Sequence, residues 1–495
     1  MIGGKQLIYV TFLILSAIIS PVNNLRRFSL IIRVLLPLIL ISLLGISSHW
    51  RGMQEALQIA RQANEAGDSI KASQNIFQAI QYSPWREDLW ELAGILSLNG
   101  GDEQNARKYL QQGDQSGCLS ASGLTALGDA AQLADDPQSA VLHWEEALEA
   151  GGTPAELHSR LAETYRQLGD FDIAIQHQSE LVRINPTDPE SNYTLGLMLA
   201  ASKPESAIAY LTLAAELDPN LSENTTAVTQ NIRSARIRND QAHLLVSSGQ
   251  ALASIEEWDL AVIALSRATE LNPEYADAWA YLGEALHQMG QEGSEQIERA
   301  LTVDPNSLAA NILMGLYWQR EEQYDMALVY LHAAAQLDDN NPAIQVEIGN
   351  TLGLLGNLSA AEAHYQGAVE ISPRDPVYWQ SLANFYIKYE SKLSDEGLPA
   401  AREAVILDPS DPTSLDMLGQ IYLLLDSPHI ARRFIQRALD IDPNFLPANL
   451  HLGLIHILDG DTLQAYQRFK LVQSLAPNDS QISEQARRLL ETHFP

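Results

Sequence analysis

The stretch NPAIQVEIGNTLGLLGNLSAAEAHYQGAVEISP, residues 341–373, decides the fold because it is one copy of a recurring unit. Its apolar residues Ile344, Ile348 and Leu352 recur at four-residue spacing, which is the period of a helix and not of a strand. Gly356 and Asn357 form a turn signal between two such periodic segments. The stretch therefore predicts two helices joined by a tight turn.

The closing Pro373 marks a repeat that runs along most of the chain. Most successive markers are about 34 residues apart, and one gap of 54 residues separates Pro219 from Pro273. Twelve units follow from the full set of markers, which is Pro84, Cys118, Gly152, Pro186, Pro219, Pro273, Pro305, Asp339, Pro373, Pro409, Pro443 and Pro477.

Small residues occupy fixed slots in each unit. In the first predicted helix the slot holds Gly or Ala, as at Gly94, Gly283 and Gly349, and in the second helix two slots hold Ala, as at Ala361 and Ala368. Two helices can approach closely only where no large side chain holds them apart. We therefore expect each unit to be an antiparallel helix pair packed on its neighbours.

The unit boundaries carry helix-starting chemistry. Asp or Asn followed by Pro occurs at Asp188, Asn341, Asp375 and Asp411. Asp and Asn side chains cap an incoming helix, and Pro is tolerated in its first turn. Each of these pairs therefore predicts the start of a first helix.

With this period and these landmarks, the chain resembles the tetratricopeptide repeat family over residues 53–477. DAWAYLGEALHQMG, residues 277–290, carries the family's Trp-x-x-Leu-Gly landmark. The resemblance implies an all-α tetratricopeptide (TPR) α-solenoid, a right-handed superhelix with the first helices on its concave face. We expect repeats 1–5 over residues 53–219, an insertion or joint over 220–241, repeats 6–12 over 242–477 and a capping helix over 478–495.

Residues 1–51 differ in composition from the repeats, because they contain no acidic residue and two apolar runs, 7–22 and 28–48. The second run is long enough to span a bilayer, and the first is marginal. We expect an N-terminal transmembrane anchor, either single-pass or a hairpin. Arg26 and Arg27 favour a cytoplasmic position for the segment between the runs, which places the repeats on the extracytoplasmic side in both cases.

The net charge of the chain limits the classes of partner that we expect it to bind. The whole chain has a formal net charge of −31, and because the first 51 residues hold five basic residues and no acidic one, the remainder carries −36. Phosphate binding needs a basic surface, so nucleic acid is not expected as a partner. A single cysteine, Cys118, excludes an internal disulfide framework and is interpreted as a small turn residue.

The resemblance also implies candidate binding residues on the first helices. Chaperone-binding members of the family grip a carboxylate with Lys, Asn and Arg, but Val346, Gln380 and Ser381 stand where the basic residues would be. A carboxylate clamp and a cytoplasmic co-chaperone role are therefore disfavoured. The candidate peptide groove consists of Asn350, Asn384, Gln420, Glu284, Gln250 and Glu163.

No motif predicts catalysis, a cofactor or a metal site. The chain has no phosphate-binding loop, no His-Glu-x-x-His and no Gly-x-Ser-x-Gly. His451 and His456 are five residues apart, which is off the spacing that aligns two ligands on one helical face, so we interpret them as packing residues. In the opening stretch, we expect Glu362 and His364 to face solvent on the second helix.

Two functions fit this sequence. The first is a non-catalytic, membrane-anchored scaffold that mediates protein–protein interaction and complex assembly on the extracytoplasmic side, with a peptide segment in its groove. The alternative is an accessory subunit of an envelope polysaccharide-synthesis, export or secretion machine whose chemistry lies in another chain.

Residues 221–240, which include Arg233, Arg236 and Arg238, interrupt the repeat period. Three interpretations of this segment remain open: a tolerated surface insertion, a joint or a docking surface.

Overall fold

The structure is a computed structural model that describes residues 49–477 and 480–494, and all regular elements in these ranges are helical. Consecutive helices pair as antiparallel hairpins. The helices are α1 (49–65), α2 (Ser69–Tyr82), α3 (Asp88–Asn99), α4 (Glu103–Gln115), α5 (Ala121–Leu133), α6 (Pro137–Glu149), α7 (Pro154–Leu168), α8 (Phe171–Ile184), α9 (Pro189–Ala200), α10 (Pro204–Leu217), α11 (Ser222–Ala235), α12 (Gln241–Ser254), α13 (Trp258–Leu271), α14 (Ala276–Gln288), α15 (Ser294–Val303), α16 (Leu308–Arg320), α17 (Tyr324–Leu337), α18 (Pro342–Leu354), α19 (Leu358–Ile371), α20 (Pro376–Lys388), α21 (Leu398–Leu407), α22 (Pro412–Leu424), α23 (Pro428–Ile441), α24 (Leu446–Leu458), α25 (Thr462–Leu475) and α26 (Gln481–His493).

The chain divides into two compact units. The first runs to Leu199 and includes Ser206–Thr229, and the second comprises Ala200–Glu205 and the chain from Gln230 onward. The division falls inside α11, the helix in the long gap of the repeat period. Residues 220–241 thus hold a helix of their own, followed by the short 3-10 turn Arg236–Arg238.

In most hairpins with glycine in the first-helix slot, that glycine faces a large residue of the second helix. A methyl group added at Gly94 would lie 2.4 Å from Leu110 Cγ, and one added at Gly453 would lie 2.4 Å from Phe469 Cε1. Both partners lie sixteen residues further along the chain, as do Trp144 for Gly128 and Ile435 for Gly419. The small-residue slots predicted from the sequence therefore allow the close approach of the helices.

The alanine slots of the second helices are among the most deeply buried positions in both units. Nearly all of them have no exposed surface. The alanines of these second-helix slots that have no exposed surface include Ala72, Ala79, Ala106, Ala140, Ala147, Ala174, Ala207, Ala214, Ala261, Ala268, Ala300, Ala327, Ala334, Ala361, Ala368, Ala438 and Ala465.

The predicted capping residues do cap their helices. Asn341 accepts a hydrogen bond from the backbone N–H of Ala343, and Asp411 accepts from those of Thr413 and Ser414. These side chains satisfy donors that would have no partner within the helix. The Asp-Pro and Asn-Pro pairs thus fix where first helices begin.

The turn within most hairpins contains one residue with a left-handed backbone. Gly356 adopts φ +80° there, in agreement with the turn signal of the sequence. In other hairpins the same place is taken by a residue with a side chain, such as Glu322 with φ +58° and Glu256 with φ +64°. Side chains disfavour this conformation by about 1–2 kcal/mol, so these hairpins carry local strain.

A hydrogen bond back to the marker residue links one hairpin to the next. In three boundaries an Asn side chain six residues after the marker donates to the marker's carbonyl, as from Asn311 Nδ2 to Pro305 O at 3.0 Å. In two others an indole takes this role, as from Trp379 Nε1 to Pro373 O at 2.9 Å. The Trp of the family landmark therefore satisfies a carbonyl at the turn between repeats.

No helix within residues 49–477 and 480–494 is long and apolar enough to cross a membrane. The two apolar runs, 7–22 and 28–48, lie outside the described residues.

Candidate functional site

The six groove candidates share one register on the first helices. Each directly follows the small residue that meets the second helix, as Asn350 follows Gly349 and Glu284 follows Gly283. Glu163 on α7 belongs to the first unit, and Gln250, Glu284, Asn350, Asn384 and Gln420 belong to the second. We call these six residues the groove register.

Glu284 is engaged with the next first helix. Arg320 on α16 donates from both guanidinium ends, with Nη2 at 2.8 Å from Oε2 and Nη1 at 3.2 Å from Oε1 of Glu284. The two residues lie 36 positions apart, about one repeat, and the Glu284 side chain is only 17% exposed. A bidentate pair of this kind orients both side chains as well as attracting them.

Gln250 and Asn350 are also engaged inside the protein. The Gln250 side chain lies close to the Tyr281 hydroxyl of the following first helix, where it opposes the rise that burial produces in the pKa of that hydroxyl. Asn350 accepts a hydrogen bond from the Tyr365 hydroxyl and donates to Glu347 Oε2 at 3.3 Å. Asn350 thus links the first and second helices of its own hairpin, in addition to lying in the groove register.

Further side-chain bonds connect consecutive first helices of the second unit. Gln319 Nε2 on α16 donates to Thr351 Oγ1 on α18 at 2.5 Å, and the Glu347 carbonyl accepts from the same amide at 3.2 Å. Gln380 Nε2 on α20 donates to Asp411 Oδ2 at 2.7 Å and to Ser414 Oγ at 2.8 Å. Each of these bonds, like the pair of Glu284 and Arg320, joins two first helices that are one repeat apart. We call such bonds inter-repeat ties.

Position 380, where a carboxylate clamp would need a basic residue, takes part in an inter-repeat tie. A carboxylate clamp would place a lysine there, but in this chain the amide spans to the capping Asp411 of the next first helix. Asp411 already accepts from two backbone N–H groups, and these bonds outweigh its burial to hold the pKa of its carboxyl below the usual value. The side chain at position 380 therefore connects two neighbouring repeats.

His451 also joins two consecutive first helices. Its Nδ1 lies 2.9 Å from Asp416 Oδ1 and 3.0 Å from Oδ2, 35 residues away on the preceding first helix. Asp416 is 3% exposed, so the imidazole supplies a partner that a buried carboxylate needs. Within the described ranges, no group of three or more His, Cys, Asp or Glu residues is placed to hold a metal ion.

The three remaining candidates differ in what surrounds them. Glu163 is exposed and accepts from Gln167 Nε2 of its own helix at 2.9 Å. Gln420 is half-buried, and Asn384 is exposed. Asn384 is therefore the member of the groove register in the second unit that is most open to a partner.

Two predictions for the opening stretch are wrong. His364 does not face solvent, because it is half-buried with Nδ1 at 2.8 Å from Gln345 Oε1 of the first helix. Glu362 is also half-buried and accepts from Lys392 Nζ and the Tyr386 hydroxyl of the next repeat. The first helix of the same hairpin thus covers His364 and the following repeat covers Glu362, and the periodicity of the sequence revealed neither contact.

A histidine pair in the first unit was not singled out from the sequence. His158 on α7 and His177 on α8 approach with their Nδ1 atoms 2.9 Å apart, and the His177 ring stacks on Tyr165. Burial lowers the pKa of both imidazoles, and the neighbouring His158 ring lowers the pKa of His177 further. The pair needs one neutral acceptor nitrogen, because two imidazolium rings would have only donors to offer.

Four family models match the chain, and each describes the same kind of unit. They cover residues 125–189, 249–290, 319–385 and 412–445 with the descriptions "Tetratricopeptide repeat" or "TPR repeat". The matched hairpins are tetratricopeptide repeats. The tetratricopeptide matches fall in both compact units, and the first-helix residues described above lie within them or beside them.

Known relatives share the tetratricopeptide repeats at low identity. "Anaphase-promoting complex subunit 7" of Arabidopsis thaliana is 22% identical over 46% of this chain and 42% of its own length. "TPR repeat-containing protein YpiA" of Bacillus subtilis is 23% identical over 53% of this chain and 57% of its own length. The chain thus spans about half the length of these curated relatives.

A solved structure gives a similar comparison. The crystal structure of the APC/C hetero-tetramer Cut9-Hcn1 matches 90% of this chain and 96% of the compared chain, with 15% identity and a TM-score of 0.39.

Proposed function

We propose that this protein is a non-catalytic scaffold, anchored in a membrane by its N-terminal segment, that assembles protein complexes on the extracytoplasmic side. The observation that supports this most is the series of inter-repeat ties in the second unit, which fixes consecutive first helices through Glu284–Arg320, Gln319–Thr351 and Gln380–Asp411. A surface fixed in advance binds a partner with less loss of conformational freedom. Tetratricopeptide repeats supply the architecture.

The chemistry of the groove register favours a protein segment as the partner. Its members are amides and carboxylates, which can donate to and accept from the backbone of an extended or helical peptide. The half-buried Gln420 and the exposed Asn384 are the members best placed for this contact in the second unit. An overall net charge of −31 disfavours nucleic acid and favours partners that are neutral or basic.

The membrane location rests on the sequence of residues 1–51. The apolar run 28–48 has the length of a transmembrane helix. Lys5, Arg26 and Arg27 precede it, Arg33 lies within its first turns, and only Arg51 follows it closely. A reporter fused after residue 495 tests the orientation. We expect activity from a reporter that works only outside the cytoplasm, and activity only from a cytoplasmic reporter would contradict the proposed orientation.

Site-specific photo-crosslinking tests the groove. A photoreactive amino acid is placed at Asn384 in the full-length protein in its native membrane, and a matched variant carries it at Ile406. Ile406 is 67% exposed but lies on α21, the second helix of the same repeat. Capture of a defined protein from position 384 and not from 406 is expected, and equal labelling from both positions would contradict a partner in the groove.

The identity of the captured chain separates the two functions that fit the sequence. If the chain captured at position 384 is an enzyme or transport component of envelope polysaccharide synthesis, export or secretion, the protein is an accessory subunit of that machine. If the captured chains are structural envelope or surface proteins, the scaffold proposal holds in its general form. Capture of no chain beyond the protein itself would contradict both functions.

A further inference from the structure

Two tryptophans at the first hairpin are largely exposed to solvent, although tryptophan side chains are highly buried on average. Trp50 at the start of α1 is 58% exposed, and Trp85 in the turn between α2 and α3 is 66% exposed. The other tryptophans of the chain are buried or half-buried. An exposed indole contributes a large apolar surface with a polar N–H, a combination suited to an interface between water and an apolar phase.

Both tryptophans lie at the same end of the first hairpin. Tyr82, the last residue of α2, packs against the start of α1: its ring centroid lies 6.0 Å from that of His49, and a methyl group on Gly52 would lie 2.9 Å from its Cζ. Trp50 lies between the two residues that contact Tyr82, and Trp85 follows Tyr82 by three positions. The close packing thus brings both indoles to one end of the hairpin.

The chain outside the described residues indicates what covers this end. The apolar run 28–48 ends directly before His49, so the first hairpin begins where the proposed membrane segment ends. An indole that close to the end of such a segment lies at the depth of the lipid headgroups. Trp85 is brought to the same end only by folding. Its position in the sequence therefore does not reveal that it lies near the end of the apolar run.

The charges near the two indoles are balanced. Arg86 pairs with Asp88, with both Nε and Nη2 at 2.7 Å from the carboxylate oxygens. Arg51 is exposed on one side and Glu87 on the other. With two basic and two acidic side chains, this end has no net attraction for anionic lipid, so contact with a bilayer would depend on the indoles.

We propose that this end of the first hairpin, with Trp50 and Trp85, rests in the headgroup region of the bilayer that holds the N-terminal segment. We call it the membrane-facing end. The inference relies on the membrane anchor of the proposed function. It adds that the folded repeats themselves contact lipid, and so the first hairpin is held at the bilayer surface through a second, non-covalent contact.

Tryptophan fluorescence measures this contact directly, because all 8 tryptophans of the chain lie at or beyond residue 50. The full-length protein is inserted into phosphatidylcholine vesicles with brominated acyl chains, which quench nearby indoles. We expect quenching in the wild-type protein, partial loss in Trp50→Phe and in Trp85→Phe, and loss to the level of unbrominated vesicles in the double variant. Trp379→Phe, which removes a half-buried indole of the second unit, is the matched control and keeps the quenching of the wild type.

Sedimentation of the same vesicles after an alkaline carbonate wash tests the anchor separately. If the protein stays with the vesicles but the double variant is quenched like the wild type, the membrane-facing end is refuted while the anchor stands. If the protein is washed off, the anchor and this inference fail together. Quenching that appears only when phosphatidylglycerol is added would also overturn the proposal, because it would show contact through charge.

Discussion

The hydroxyl of Tyr365 on α19 donates a hydrogen bond to Asn350 Oδ1 on α18, so a groove-register residue is held by the second helix of its own hairpin. Tyr365 is 6% exposed, and its ring lies against Gly349, the residue before Asn350. The same side chain therefore closes the hairpin and orients the amide. Stability and the candidate binding surface are coupled at this position.

The Tyr365→Phe variant separates the two roles. Removing the hydroxyl leaves Asn350 Oδ1 without its donor, and we expect a loss of about 1 kcal/mol in the free energy of unfolding. Urea unfolding followed by circular dichroism measures the loss. Tyr466→Phe is the control because Tyr466 is 41% exposed, and equal losses in the two variants would contradict a specific role for the bond.

Two glycine-to-alanine changes have opposite expected signs. Alanine at Gly94 would place its methyl group 2.4 Å from Leu110 Cγ, which forces the helices apart and destabilises by about 1–3 kcal/mol. Gly367 lies within α19 with its nearest neighbouring atom at 4.0 Å, so Gly367→Ala stabilises by about 1 kcal/mol through helix propensity. Thermal unfolding of both variants checks the prediction, and a stabilised Gly94→Ala would show that the close approach is not needed.

The strained turn at Glu322 offers a stabilising change. Glycine adopts φ +58° without the clash of a side chain, so Glu322→Gly is expected to stabilise by about 0.5 kcal/mol after the entropy of glycine in the unfolded chain is subtracted. Gly356→Ala makes the reverse change at φ +80° and is expected to cost about 1 kcal/mol. The melting temperatures of the two variants should shift in opposite directions, and shifts of one sign would contradict the strain.

The histidine pair predicts acid sensitivity in the first unit. Burial holds the pKa of His158 and His177 below the unfolded value of about 6.5, so the unfolded chain takes up protons first as the pH falls. The stability that the neutral pair contributes is present above about pH 6.5 and is lost as the pH falls toward the folded pKa values.

The measurement compares melting temperatures at about pH 7.5 and about pH 5.5, on either side of the unfolded histidine pKa. The decrease on acidification should be smaller in His177→Gln than in the wild type. His429→Gln, which replaces an exposed histidine on α23, should keep the decrease of the wild type. An unchanged decrease in His177→Gln would rule out the pair as its source.

The local elements of the fold could be predicted from the sequence because they depend on neighbours within one unit. Gly349, Ala361 and the cap at Asn341 each act within about twenty residues, and a 34-residue period repeats the signal often enough to be recognised. Four family models confirm that these units are tetratricopeptide repeats. The membrane anchor, the domain boundaries and the groove register as a binding surface stay predictions.

Side chains that act between units could not be predicted in the same way. The pairing of Arg320 with Glu284 spans 36 residues and depends on how two first helices are stacked. His364 and Glu362 were expected in solvent, but the first helix of the same hairpin contacts His364 and the next repeat contacts Glu362. The partners of a polar residue in such a stack become known only when the neighbouring repeat is in place.

The contact between a small residue and the large residue sixteen positions later has a consequence for how such a chain changes length. Both residues of the contact lie in one hairpin. Duplication of the gene segment that encodes one repeat would therefore duplicate the whole contact. A tie such as Gln380–Asp411 needs a particular neighbour, and it would be broken by inserting a copy between its two repeats. Duplication therefore preserves the contacts within hairpins, whereas the inter-repeat ties depend on the present order of the repeats.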